Sequence, residues 1–172
     1  MTIVVVTNNI AAVPRNFAHQ IKQTRPFASP EQEALLAIRR TAASLLAPWE
    51  TFLKTKFGLS TGLFNVLRIL RGSHPMALTC GEIGERTIAR DPDVTRLVDR
   101  LSGRGLVTRA HSQKDRRVVE VSITEKGLDL LRELDPHALS MPRALIGHVS
   151  AAKLRTLSAL LAEVLDGVGT FP

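Results

Sequence analysis

Val94-Thr95-Arg96-Leu97-Val98-Asp99-Arg100-Leu101 is the stretch that decides the fold. Val94, Leu97, Val98 and Leu101 fall at i, i+3, i+4 and i+7, so an α-helix gathers them on one face. The other faces then present Asp93, Thr95, Arg96, Asp99 and Arg100 to solvent. The helix should begin around Asp91 and Pro92, because aspartate caps helices well and proline is tolerated in the first turn; Gly103 and Gly105 end it. Taken alone, an amphipathic helix with a polar outer face is an ordinary object. Its neighbours give it meaning.

Upstream, after a Gly72-Ser73-His74-Pro75 turn, Thr79 is placed to cap a short helix, with Glu82 completing a capping box and Ile83 as core anchor. Before that, Ser60 can cap a helix running to about Arg71 that buries Leu63, Phe64, Leu67 and Leu70. Downstream, Leu106 to Ala110 and Arg117 to Ile123 are short β-branched runs separated by the polar stretch His111 to Arg116, which reads as a hairpin. Two short helices, a tight turn and a hairpin make a winged helix-turn-helix, whose second helix suits the major groove of double-stranded DNA. The hairpin tip, Ser112-Gln113-Lys114-Asp115-Arg116-Arg117, crowds cations together, and arginine in a narrow minor groove is a recurrent source of affinity. Asp115 is expected to hold Arg117 in a forked ion pair.

Charge agrees with that reading. Residues 68–117 hold eleven Lys/Arg against six Asp/Glu, so five of the seven net positive charges lie in the window that contains these motifs. A localised basic surface is what phosphate binding requires. With 172 residues, 44% of them hydrophobic and 23% charged, the chain can bury a real core and is not a disordered tail. Its apolar runs fall far short of the ~20 residues of a membrane span, and Ile3 to Val6 is too short and lacks a preceding base for a secretory signal; a cytoplasmic location away from membranes is expected. One cysteine, Cys80, excludes an internal disulfide and a Cys-cluster zinc site. His19, His74, His111, His137 and His148 are scattered, and no nucleophile elbow or phosphate loop appears, so neither an enzyme nor a metal or other cofactor is expected.

The flanks supply a second theme. Residues 1–29, with Pro14 and Pro26, read as a loosely ordered arm. From Glu31 to Phe57, Leu35, Ile38, Ala42, Leu45, Trp49 and Phe52 make one helical stripe, with a kink or break expected near Ala47 because of Pro48. Thr124 caps a helix with Leu128, Leu131 and Leu134 on one face; Pro136 and Pro142 leave its second half undefined. Ser150 caps a last helix, on which Leu154, Leu157, Leu161, Val164 and Val168 repeat at three and four. So small a winged-helix core cannot cover both terminal stripes, which predicts a homodimer joined through Leu35, Ile38 and Leu45 and the C-terminal stripe.

The motifs Leu78-Thr79-Cys80-Gly81-Glu82-Ile83, Val94 to Leu101, Gly105-Leu106-Val107, Asp115-Arg116-Arg117 and Ile123-Thr124-Glu125-Lys126-Gly127 resemble, in order and spacing, the MarR (multiple antibiotic resistance regulator) family. Phe64 to Leu70 extends the resemblance upstream, so that it covers residues 30–168. One departure is Ile88, where the family usually carries a glycine, followed by an uncommon Arg90-Asp91-Pro92-Asp93 helix start. The resemblance implies a mainly α fold with a small β-hairpin wing: a DNA-reading part at about 60–123, and dimerisation helices at about 31–57 and 124–168. It implies a transcriptional regulator, a repressor, that binds a pseudo-palindromic operator and is released by a small effector in a cleft near Trp49, Phe64 and Arg68; aromatic acids or phenols are the expected class. In that frame Asp93, Thr95, Arg96 and Arg100 sit in or beside the major groove, Arg116 and Arg117 along the minor groove with Asp115 as orienter, and Lys114, Arg104 and Thr79 on phosphates. Two other readings are a winged-helix protein-interaction module and a regulator that senses oxidants through Cys80.

Overall fold

The computed structural model describes residues 16–87, 93–112 and 117–169. They fall into two compact units, one ending at Ala47 and the other beginning at Pro48. In the first, α1 (Asn16–Gln20) lies within the stretch expected to be an arm, and the Phe17 and Phe27 rings stack at 6.0 Å. The long helix α2 (Pro30–Phe52) starts on a local exchange in which Gln32 donates its amide N–H to Ser29 Oγ at 3.3 Å and accepts from the Ala28 N–H at 2.8 Å. The Ser29 side chain also bonds Glu31 and is the main cause that holds the Glu31 carboxyl below the ordinary carboxylate range.

The break expected at Ala47 does not occur. α2 continues through Pro48, and the irregularity comes five residues later as a π-helical turn, Leu53–Phe57. A proline removes one backbone donor, and here Trp49 and Leu53, both buried, anchor the chain to the core just beyond that loss. The wider turn frees carbonyls, and Thr55 Oγ1 donates to Thr51 O at 2.8 Å. Gly58 closes the turn at φ 61°, a left-handed conformation that a side chain disfavours, while the Leu59 N–H reaches back to Leu53 O at 3.1 Å.

The remaining elements of the second unit are α3 (Thr61–Ser73), β1 (Leu78–Thr79), α4 (Cys80–Glu85), α5 (Val94–Gly103), β2 (Val107–His111), β3 (Val119–Ile123), α6 (Glu125–Ile146) and α7 (Ala151–Asp166). The strands form an antiparallel sheet in the order β1-β3-β2, with Leu78 opposite Val121 and Arg109 opposite Val121 on the other side. The hairpin is the expected wing; β1 is an addition that a two-residue run does not announce. Among the described residues the core joins Leu63, Val66, Leu67 and Leu70 of α3 to Ile83, Val98, Leu101, Val121, Leu131 and Leu134. α6 runs unbroken through Pro136 and Pro142, held by buried Leu131 and Leu134 and by Ala138 and Met141 packed on the core.

Side-chain caps set most helix starts. Ser60, Thr79, Thr124 and Ser150 each accept from the backbone N–H three residues on, as their spacing implies. At Thr79 the box is reciprocal, since Glu82 Oε2 accepts from the Thr79 N–H at 2.8 Å. That backbone bond, then the Thr79 hydroxyl, holds the Glu82 carboxyl below its ordinary value. A carboxyl depressed by folding stabilises the native state above its unfolded pKa and loses that effect as pH falls through the folded one. Glu82→Gln is therefore expected to be less stable than the native chain at neutral pH and to converge with it in acid. A stability gap that persists unchanged below the carboxylate range, followed by urea denaturation at stepped pH, contradicts this.

Candidate nucleic-acid interface and aromatic cavity

α5 is fixed from behind and open in front. Val94, Leu97, Val98 and Leu101 are buried, whereas Thr95, Arg96, Asp99 and Arg100 are exposed. The helix begins at Val94 with Asp93 as its cap, two residues later than the Asp91 expectation; Ile88 to Pro92 lie outside the described residues. Asp93 accepts from the Arg96 N–H at 3.2 Å and its other oxygen pairs with Arg96 Nη1 at 3.2 Å. That employment gives Asp93 a framing role: it caps the start of the helix and pairs with the guanidinium of Arg96, whose side chain is 83% exposed.

The wing is tied to α5 by an ion pair between Asp99 and Arg109 of β2. A partly exposed pair of this kind contributes less than about 1 kcal/mol to stability, so its effect is on orientation. β2 and β3 project together, and the Ser112 N–H donates to Val118 O at 2.9 Å, carrying the ladder one rung beyond the strands. Arg117 is exposed at the outer end of the hairpin. Lys114, Asp115 and Arg116, and with them the expected Asp115–Arg117 pair, lie outside the described residues.

Two of the expected phosphate contacts are occupied otherwise. Thr79 spends its hydroxyl on the capping box, accepting from the Glu82 N–H and donating to Glu82 Oε2 at 2.9 Å. Arg104, the residue after α5, turns inward and donates from Nη1 to Gly58 O and from Nη2 to Phe57 O, both at 2.9 Å. Its partners are 46 and 47 residues away in sequence, a separation that no local pattern reveals.

Of the residues expected at an effector cleft, Trp49 and Phe64 are buried and meet edge to face at 5.5 Å, with the Arg68 guanidinium 5.8 Å above the Phe64 ring. Trp49 lines an open cavity. That cavity, about 220 Å³, lies between the end of α2 (Trp49, Phe52) and α6 (His137, Ser140, Met141, Ala144). Its lining is mainly apolar, and its volume is on the order of that of a single-ring molecule. Phe52 and His137, with ring centroids 4.8 Å apart, supply a flat wall and an imidazole that can donate or accept. His137 counts only as one of five scattered histidines in the sequence because its partners lie on another helix; the helical spacing of His137, Ser140, Met141 and Ala144 is the available signal.

Both terminal stripes are bare within their own units. Leu35 is 60% exposed and Ile38 38%, with Leu45 half-buried. α7 has no buried residue, Leu154 is half-buried, and Leu157, Leu161, Val164 and Val168 are exposed. Cys80 is half-buried in the first turn of α4 and packs against the core. Among the described residues no group of His, Cys, Asp and Glu could hold a metal ion, and no helix is long and apolar enough to cross a membrane.

Residues 59–119 match the model of the MarR family. The HTH-type transcriptional regulator MhqR of Bacillus subtilis is 31% identical over 111 residues, 63% of this chain and 74% of that protein. The crystal structure of a MarR transcription factor from Planctomyces limnophilus superposes with a TM-score of 0.61 at 39% identity, covering 80% of this chain and 98% of the other. A MarR family transcriptional regulator from Streptomyces coelicolor, solved in complex with DNA, shares the fold with a TM-score of 0.73 at 20% identity, over 84% and 95% of the two chains.

Proposed function

Because the chain belongs to the MarR family, whose members are DNA-binding transcriptional regulators with a winged helix, we propose that it is a homodimeric repressor that reads a pseudo-palindromic operator and leaves it when a small aromatic molecule binds. The observation that carries the reading is the front of α5: Thr95, Arg96 and Arg100 exposed on a helix whose other side is locked into the core beside a projecting hairpin. Arg96 and Arg100 can donate to guanine edges or phosphates, and Thr95 to either. Arg117, with Lys114 and Arg116 at the tip, follows the minor groove. Arg104 is assigned to the scaffold instead of to phosphates, and Thr79 acts through its cap.

Two copies related by a twofold axis set their α5 helices one DNA turn apart, so the half-sites lie ~10 base pairs between centres. The uncovered stripes of α2 and α7 supply the apolar surface for that pairing. The cavity at Trp49, Phe52 and His137 is the assigned effector site, with ring stacking for a benzenoid ligand and His137 for its acidic group. Benzoate and phenol are the first probes, with cyclohexanecarboxylate as a control that lacks the ring.

The test is selection of duplexes from a random library by the purified full chain, followed by binding at stepped salt. A repressor of this kind recovers an inverted repeat, and its affinity falls steeply and linearly on a log–log plot as counterions are released. No enrichment of any motif at low ionic strength removes the reading. Arg117→Ala is expected to cost ~1–3 kcal/mol of specific binding. Anisotropy on the selected duplex measures it, and unchanged affinity takes the wing out of the interface.

A further inference from the structure

The residue that follows α5 is held from two sides, by the π-helical turn after α2 and by the first turn of α6, the two helices that line the aromatic cavity. Arg104 sends two guanidinium donors to the carbonyls of Phe57 and Gly58 at 2.9 Å, at the close of the π-helical turn. The Phe57 ring in turn packs on Phe52 at 5.6 Å and on His137 at 6.5 Å. From the other side, Lys126 Nζ in the first turn of α6 donates to the backbone carbonyl of Arg104 at 2.9 Å. α6 is the helix that carries His137, Ser140 and Met141 into the cavity.

Carbonyls at a helix end lack partners within the helix, so a planar fork that bonds two adjacent ones fixes both distance and angle. Lysine in the same place offers a point charge on a flexible stem and cannot hold the angle. We propose that Arg104 is a positioning residue that transmits the state of the aromatic cavity to the DNA-reading helix. Parting the walls moves Phe57 and Gly58 relative to Lys126, turns the end of α5, and changes the angle at which Thr95, Arg96 and Arg100 meet the duplex. This rests on the assignment of the cavity as the effector site, and linkage requires that duplex binding also act back on the cavity.

The test uses the full chain, the selected duplex and a double-mutant cycle. Ala144→Phe fills the cavity from α6 and stands in for occupancy without a ligand. With Arg104 present it is expected to weaken duplex binding by about fivefold or more, and in the Arg104→Lys background by less than about twofold. Trp49, the single tryptophan and a cavity wall, gives a second readout: saturating duplex shifts its emission in the native chain and not in Arg104→Lys. A purely structural arginine would lower stability and leave the two substitutions multiplicative. An undiminished effect of Ala144→Phe in the Arg104→Lys background overturns the relay and leaves the cavity assignment standing. No effect of Ala144→Phe, or of a second filler, Ser140→Leu, with Arg104 in place overturns both. If Arg104→Lys does not fold by circular dichroism, Lys126→Met removes the other half of the link and carries the same cycle.

Discussion

Replacing Gly127 with alanine is expected to lower stability by about 3 kcal/mol, the upper part of the range for overpacking a core. A Cβ at this position would lie 2.7 Å from Ile123 Cγ1 and closer still to the backbone carbonyl of Leu106. Neither neighbour can yield cheaply. Leu106 O already accepts from the Thr124 N–H at 3.1 Å, and the Thr124 hydroxyl donates to Gly105 O at 2.8 Å, so the start of α6 is laced to the connection between α5 and β2. The Thr124 hydroxyl also caps α6 by accepting from the Gly127 N–H at 3.1 Å. An alanine must therefore push α6 away from that connection and strain the two bonds that cross to it. Gly81 is the matched control: it is an exposed helical glycine whose added Cβ would find Thr79 Oγ1 at 3.8 Å, ordinary contact, so Gly81→Ala should be neutral or stabilise by up to about 1 kcal/mol. Urea titrations of the two variants decide it, and equal midpoints would falsify the steric account.

The second large effect concerns the proposed pairing of subunits. Leu157→Asp together with Leu161→Asp places carboxylates where α7 exposes 48% and 40% of two leucines. In a single chain these positions already face water, so the secondary structure should survive. Across a twofold interface the change removes four leucines, each contributing about 1.5 kcal/mol or more when buried, and adds like charges. The dimer dissociation constant is expected to rise by more than about 1,000-fold, and duplex affinity to fall with it because one half-site must then bind alone. Sedimentation velocity reads the first and anisotropy the second. A variant that stays dimeric assigns the interface elsewhere, and one that is monomeric yet binds the duplex at full strength separates pairing from DNA reading.

What could be read from the sequence was local. Ser60, Thr79 with Glu82, Thr124 and Ser150 reach partners three residues away, so their caps are visible in the spacing. The buried side of α5 was equally legible, since four apolar residues at helical intervals have one face to share. What escaped depends on distant partners. β1 is a strand only because Val121 and Glu120 pair with Leu78 and Thr79. The bonds of Arg104 to two carbonyls at the π-helical turn are invisible in the spacing, because 46 and 47 residues separate the partners. Pro48, Pro136 and Pro142 read as interruptions because propensity weighs one lost donor, whereas burial elsewhere on the same helix, Trp49 just after Pro48 and Leu131 and Leu134 before Pro136, outweighs it here. The cavity likewise needs two helices that only the folded chain brings face to face.

The strand order β1-β3-β2 also governs synthesis on the ribosome. The middle strand is the last of the three to leave the exit tunnel, and until Val119 to Ile123 emerge, Leu78 and Val107 have no partner to close the ladder. A nascent chain halted between His111 and Val119 would carry α5 without the sheet behind it, and two open strand edges prone to join those of other stalled chains. Translation pausing should therefore be tolerated before Leu78 or after Gly127 and penalised between them, by aggregation.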